Sequence, residues 1–134
     1  MKTSIKTILI TAILLFTSIV LSAQASLTIE NNSKRTMTVK VMNTYNGIAS
    51  LYRLVSITAY SSETVYFSSS GYYFTKTKAV LDGKDPIYRK GESFHVINNS
   101  SGYSEMTLTF TIVESSVPQA TGGKSISKTE FDQN

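Results

Sequence analysis

The chain has 134 residues, no cysteine, no tryptophan and a formal charge of +4. Without thiols there is neither a disulfide nor a thiolate metal site, so the folded product must rest on a buried apolar core. Lys2 and Lys6 fall in a leader expected to be removed, and residues 26–134 carry eleven Lys and Arg against nine Asp and Glu. That near balance excludes the strongly basic footprint of a nucleic-acid binder.

Residues 1–25 read as a cleavable secretory signal peptide: a basic start, an apolar run over 8–21, and small residues at Ala23 and Ala25. The run covers about fourteen residues where a membrane-crossing helix needs roughly twenty. No stable membrane anchor is therefore expected after cleavage, and no thiol is present to carry a lipid. Cleavage is expected after Ala25, with a cut after Ala23 as the alternative. The short leader, ending Ser22-Ala23-Gln24-Ala25, has the look of a bacterial export signal, so the product is expected to be secreted or periplasmic. What remains is 109 of the 134 residues, enough for one domain: a β-sandwich over 26–113 followed by a flexible extension over 114–134.

From Ser26 onward the dominant signal is period-two alternation, the mark of strands with one buried and one wet face. Leu27 and Ile29 face inward first, then Met37, Val39 and Val41 against Thr36, Thr38 and Lys40. Val55, Ile57 and Ala59 are expected to face the core within 51–59, with Leu54 leaving that register open. Val65 and Phe67 follow. In 72–80, Lys76 and Lys78 share a face with Phe74, which suits an edge strand, because charged edges resist stray pairing. Phe94 and Val96 form a short strand. In 105–112, Met106, Leu108, Phe110 and Ile112 point one way and Glu105, Thr107, Thr109 and Thr111 the other. Asn46-Gly47, Asp82-Gly83 and the Asn/Ser/Gly runs at 31–33, 68–71 and 98–102 accept positive φ and let the chain reverse. Seven or eight strands at spacings near ten residues, with no amphipathic helix between them, predict an all-β antiparallel two-sheet sandwich, with a small barrel or jelly roll as the alternative.

Val65-Tyr66-Phe67 followed by Gly71-Tyr72-Tyr73 resembles the strand, short turn and Gly-x-Tyr strand of immunoglobulin-like and prealbumin-like sandwiches. The likeness covers about ten residues, and what it implies is architecture; such folds host unrelated functions.

After Val113 the alternation stops. Pro118, Gly122, Gly123 and several Ser and Thr mark a mobile segment. Ser127 and Glu130 have capping-box spacing with Phe131 beyond, so one helical turn could form, either frayed or docked through Phe131.

Candidate chemistry is sparse. His95 is the single histidine, on a strand, facing away from Phe94 and Val96, with no His, Cys or carboxylate at ligand spacing. Asp82 and Asp85 are close enough to suggest calcium or paired acids, but Lys84 sits between them and Asp-Gly with Asp-Pro is turn chemistry. The asparagines at 31, 98 and 99 fit glycosylation sequons yet read as turns. No metal or cofactor is expected.

Tyrosine is the suggestive residue, with eight copies. Between 72 and 90, Tyr72, Tyr73 and Tyr88 alternate with Lys76, Lys78, Lys84, Arg89 and Lys90, residues that on one surface would receive an acidic protein patch or an anionic glycan. The expected function is a non-catalytic exported module that binds a protein or glycan of the cell envelope. One form of it inserts the 43–50 loop into a partner's cleft. The alternatives are a small hydrolase using His95 or Asp82 with Asp85, and a subunit that assembles by strand exchange.

Overall fold

The computed structural model describes residues 24–134, so the expected signal peptide over 1–25 lies outside the described residues except for Gln24 and Ala25. Two sheets face each other over one core. The first contains β1 (Ala25–Asn32), β4 (Ser62–Phe67), β10 (Glu105–Val113) and β11 (Gln119–Thr121), in the order β11-β10-β1-β4. The second contains β2 (Thr36–Tyr45), β3 (Ile48–Ile57), β5 (Gly71–Val80), β6 (Ile87–Lys90) and β12 (Lys124–Ser125), in the order β12-β6-β5-β2-β3. β7 (Phe94–Val96) resumes the course of β6 along β5 after an interruption at residues 91–93. A hairpin of β8 (Asn98–Asn99) and β9 (Gly102–Tyr103) precedes β10, and α1 (Lys128–Asp132) ends the chain. Neither sheet closes on itself, so the barrel alternative falls.

The alternating positions fill the core as their spacing requires. Leu27 and Ile29, Met37, Val39 and Val41, Val65 and Phe67, Val96, and Phe110 and Ile112 are all buried there. In β3, Ile57 and Val55 point inward and Leu54 outward. A bulge between Val41 and Met42 then turns Tyr52 toward the core as well. Tyr52, Phe67 and Tyr73 form an aromatic cluster, with ring centroids 4.6 to 5.4 Å apart. The tight β2–β3 turn puts Asn46 at φ 51 and Gly47 at φ 75, the two left-handed residues that a two-residue hairpin with strand-matched twist demands.

Three expectations are corrected. All pairing was expected to be antiparallel, yet β1 runs parallel to β10. The two strands are more than seventy residues apart in sequence, so no tight turn dictates their relative direction. The strand over 72–80, expected at an edge, is central: β5 pairs with β2 on one side and with β6 and β7 on the other. Its lysines are accommodated by a cover on the sheet's outer face instead of by open solvent.

The segment 114–134, expected to be a flexible extension, is seated on the body. β11 adds to β10 in the first sheet and β12 adds to β6 in the second, so the chain straps across the open side of the sandwich. Gly122 (φ +102) and Gly123 (φ +77) make the crossing. A Cβ on Gly123 would lie 2.1 Å from the Lys90 carbonyl oxygen, so no other residue fits there. Ser127 caps α1, accepting from the Glu130 amide at 3.1 Å, and Phe131 is buried. The strap holds through strand edges and carbonyl oxygens, which hydrophobic periodicity does not register.

Candidate functional site

The outer face of the second sheet gathers most of the residues singled out from the sequence. Inward positions on β2 and β5 alternate with Lys40, Met42 and Thr44 and with Tyr72, Phe74, Lys76 and Lys78, which point outward. Cross-strand register then lays these in rows: Thr44 beside Tyr72 beside His95; Met42 beside Phe74; Lys40 beside Lys76 beside Lys90; Thr38 beside Lys78 beside Tyr88.

The face divides in two. Over one half lies α1. Phe131 packs against Tyr88, centroids 5.6 Å apart, and under it Lys40 Nζ sits 4.7 Å from the ring centre. Lys40 Nζ donates to the Phe131 carbonyl and to Asn134 Oδ1, both at 2.8 Å. Lys76 Nζ donates to the Glu130 carbonyl at 2.8 Å and to the Gln133 carbonyl. Lys90 Nζ reaches Glu130 Oε1 at 3.5 Å and lies 5.0 Å from the Phe74 ring centre. Burial, aided by the neighbouring Lys40 and Lys90 charges and opposed by Glu130, holds the Lys76 ammonium below its usual pKa of 10.5.

The other half is open. Tyr72 is 55% exposed and stacks on His95 with centroids 4.6 Å apart. Leu51 (40%) and Leu54 (57%) stand on the edge strand β3, beyond β2 and in the rows of Met42 and Lys40, and among the described residues no strand pairs with its outer edge. Tyr45 and Ile48 are exposed at the hairpin tip.

The expected Tyr/Lys surface is thus only partly assembled. Tyr73 is 1% exposed and belongs to the core, because it alternates with Tyr72. Lys76 lies beneath the C-terminal segment, Tyr88 and Lys90 are half-buried against it, and Lys78 borders it. Arg89 points to the other face and donates to the carbonyls of Gly122 (3.2 Å) and Gly123, pinning the strap. Tyr72 alone of the expected binding residues belongs to the open half. Leu51, Leu54 and Lys40 were missed; their signal lay in cross-strand register, which alternation within one strand does not supply.

His95 lines a shallow hollow with Ser70, Asn99, Tyr103 and Ser104, which no carboxylate lines. Asp82 and Asp85 are exposed on the β5–β6 turn, closed by the Lys84 amide donating to the Leu81 carbonyl at 3.1 Å. Among the described residues, no three His, Cys, Asp or Glu side chains cluster as metal ligands, and no helix is long and apolar enough to cross a membrane.

At one end of the sandwich sits a polar group that sequence reading missed. Arg35 has no exposed surface. Its Nε and Nη2 pair with both oxygens of Glu114 at 3.0 Å, and Nη1 donates to the carbonyls of Ala79 (3.2 Å) and Asp85 (2.8 Å). The hydrogen bond from Arg35 is the main reason the Glu114 carboxyl is held below its usual 4.5. Asn31 caps the same end, donating to the carbonyls of Arg35, Ile57 and Thr58. Its place in a sequon-like triplet is structural, since its side chain is buried.

No protein-family model matches the chain, and neither a curated protein nor a solved structure matches it. Its class is therefore stated from its own geometry: an all-β protein of two facing, unclosed sheets.

Proposed function

We propose that the chain is an exported, non-catalytic module that binds a protein partner in the periplasm or outside the cell, through the open half of the second sheet's outer face. The observation that carries this reading is the exposure of Leu51, Leu54 and Tyr72 on one sheet face, together with the edge strand β3, whose outer side no strand pairs among the described residues. Exposed leucine and tyrosine side chains on one sheet face are where protein partners dock, and an edge strand offers backbone hydrogen bonds as well. A glycan is the weaker fit. The Tyr72 and His95 rings are nearly parallel, at 15° between planes, and side chains stand upright on a sheet. Such a pair presents ring edges to solvent and not the flat platform on which a sugar stacks.

Export is compatible with this reading, because a thiol-free domain with a well-filled core needs no oxidising compartment and tolerates one. Ala25 is buried and pairs with Phe67 at the start of β1. Cleavage after Ala23 leaves that strand whole, whereas cleavage after Ala25 removes a paired residue. The immunoglobulin-like or prealbumin-like likeness enters at the level of architecture and brings no activity with it.

The test is capture of a defined envelope protein by the processed domain, compared with a Leu51→Ser, Leu54→Ser, Tyr72→Ala triple variant. Because all three side chains are well exposed, the variant should unfold within a few degrees of the wild type. Capture should be lost. Undiminished capture by a folded variant would remove this patch from the function.

A further inference from the structure

Three lysines in direct cross-strand register, Lys40, Lys76 and Lys90, are an unfavourable arrangement on a bare sheet, since like charges opposite one another repel. Here two of them are also taken from water: Lys40 is 9% and Lys76 5% exposed. What meets their charge is a single stretch of chain, residues 127–134. It supplies three backbone carbonyls and one amide oxygen to Lys40 and Lys76, and one carboxylate, Glu130, to Lys90. Of the two carboxylate side chains in this stretch, Glu130 alone pairs with one of the three ammonium groups, while Asp132 pairs with Lys128 and acts on Lys40 only at longer range. Burying charge without a full counter-charge is costly, so the row favours an occupant more acidic than the one it holds. The contact is also small: one short helical turn, with Phe131 its buried side chain.

We propose that this face is a peptide-binding site for an acidic segment centred on an aromatic residue, and that residues 127–134 are its resident, displaceable occupant. The aromatic ring takes the place of Phe131 between Tyr88 and Lys40. Acidic side chains or carbonyls take the ammonium groups of Lys76 and Lys90. The site is distinct from the open patch around Tyr72, and either can stand without the other. When the resident segment leaves, the Tyr88 ring and the three lysines become available together, and a partner's acidic-aromatic segment competes for them.

The probe is a synthetic peptide with the sequence of residues 127–134, titrated into the full chain carrying Phe131→Ala, in which the resident segment has lost its anchor. The wild type should bind that peptide roughly tenfold or more weakly than the variant does, because its own segment occupies the site most of the time. A peptide bearing Q133E should bind more tightly than the native sequence, and one bearing F131A should fail to bind. Adding Lys76→Met to the Phe131→Ala chain should weaken binding of the Q133E peptide. Should the Phe131→Ala chain not fold, isotope-labelled wild type titrated with unlabelled peptide gives the same answer, through displacement of its own Phe131 ring signals. Equal binding by wild type and the folded variant, indifference to the peptide's phenylalanine, or no advantage for the Q133E peptide would each overturn the proposal.

Discussion

Replacing Glu114 with Gln is expected to lower the melting temperature by on the order of 10 °C, the fall expected from removing one partner of a buried ion pair at about 3 kcal/mol. The reason is the site left behind. Arg35 is wholly enclosed, and Glu114 is its only carboxylate partner among the described residues, meeting it with both oxygens. A guanidinium cannot shed its proton to escape, so the charge remains buried with two carbonyls for company. The double variant Arg35→Met, Glu114→Leu should recover part of the loss, because a well-packed apolar pair removes the uncompensated charge. It leaves the Ala79 and Asp85 carbonyls without their donor, so recovery is incomplete. Thermal unfolding followed by circular dichroism checks both; a loss below about 1 kcal/mol for Glu114→Gln would mean that water reaches Arg35.

The pH dependence has a definite sign. Because the folded carboxyl of Glu114 sits below its usual 4.5, the stabilisation it provides is complete above that value and is lost as pH falls through the folded value. The gap between wild type and Glu114→Gln should therefore narrow on the acid side and stay constant from neutral pH down to the usual carboxylate range.

Tyr73→Ala is expected to cost roughly 3–5 kcal/mol and Tyr72→Ala no more than about 1 kcal/mol, although the two are adjacent. Tyr73 is enclosed by Phe67, Tyr52 and Phe94, and its hydroxyl donates to the Ser69 carbonyl at 3.2 Å. Removing the ring opens a cavity that the facing sheets cannot collapse. Tyr72 loses one stacked neighbour, His95, on a wet surface. Chemical denaturation of the two variants measures the difference; comparable losses would mean that β5 presents its faces the other way.

The contrast between these neighbours shows what was legible. Leu27, Val39, Phe67 and Phe110 announce their burial because residues two apart share a face, and period two survives any arrangement of strands. Which strand lies beside which is not written locally. Lys76 and Lys78 on one face of a strand read as edge protection until β6 is found alongside and α1 above. The seat of the C-terminal segment is hidden for a related reason: it is held by ammonium-to-carbonyl bonds, a short helical turn and two glycines in a tight crossing, none of which leaves a hydrophobic pattern. The Ser127–Glu130 spacing and Phe131 were its one visible trace. Arg35 was invisible because a lone arginine in a turn ordinarily faces water, and its partner lies 79 residues away.

The most direct test of the divided face is a nuclear Overhauser experiment on the processed protein in solution. Cross-peaks from the Phe131 ring to the Lys40 methylenes and to the Tyr88 ring, with none from that ring to Tyr72, are the expected result. A Phe131 ring with random-coil shifts and no cross-peak to either residue would contradict the covered half, and with it the site beneath.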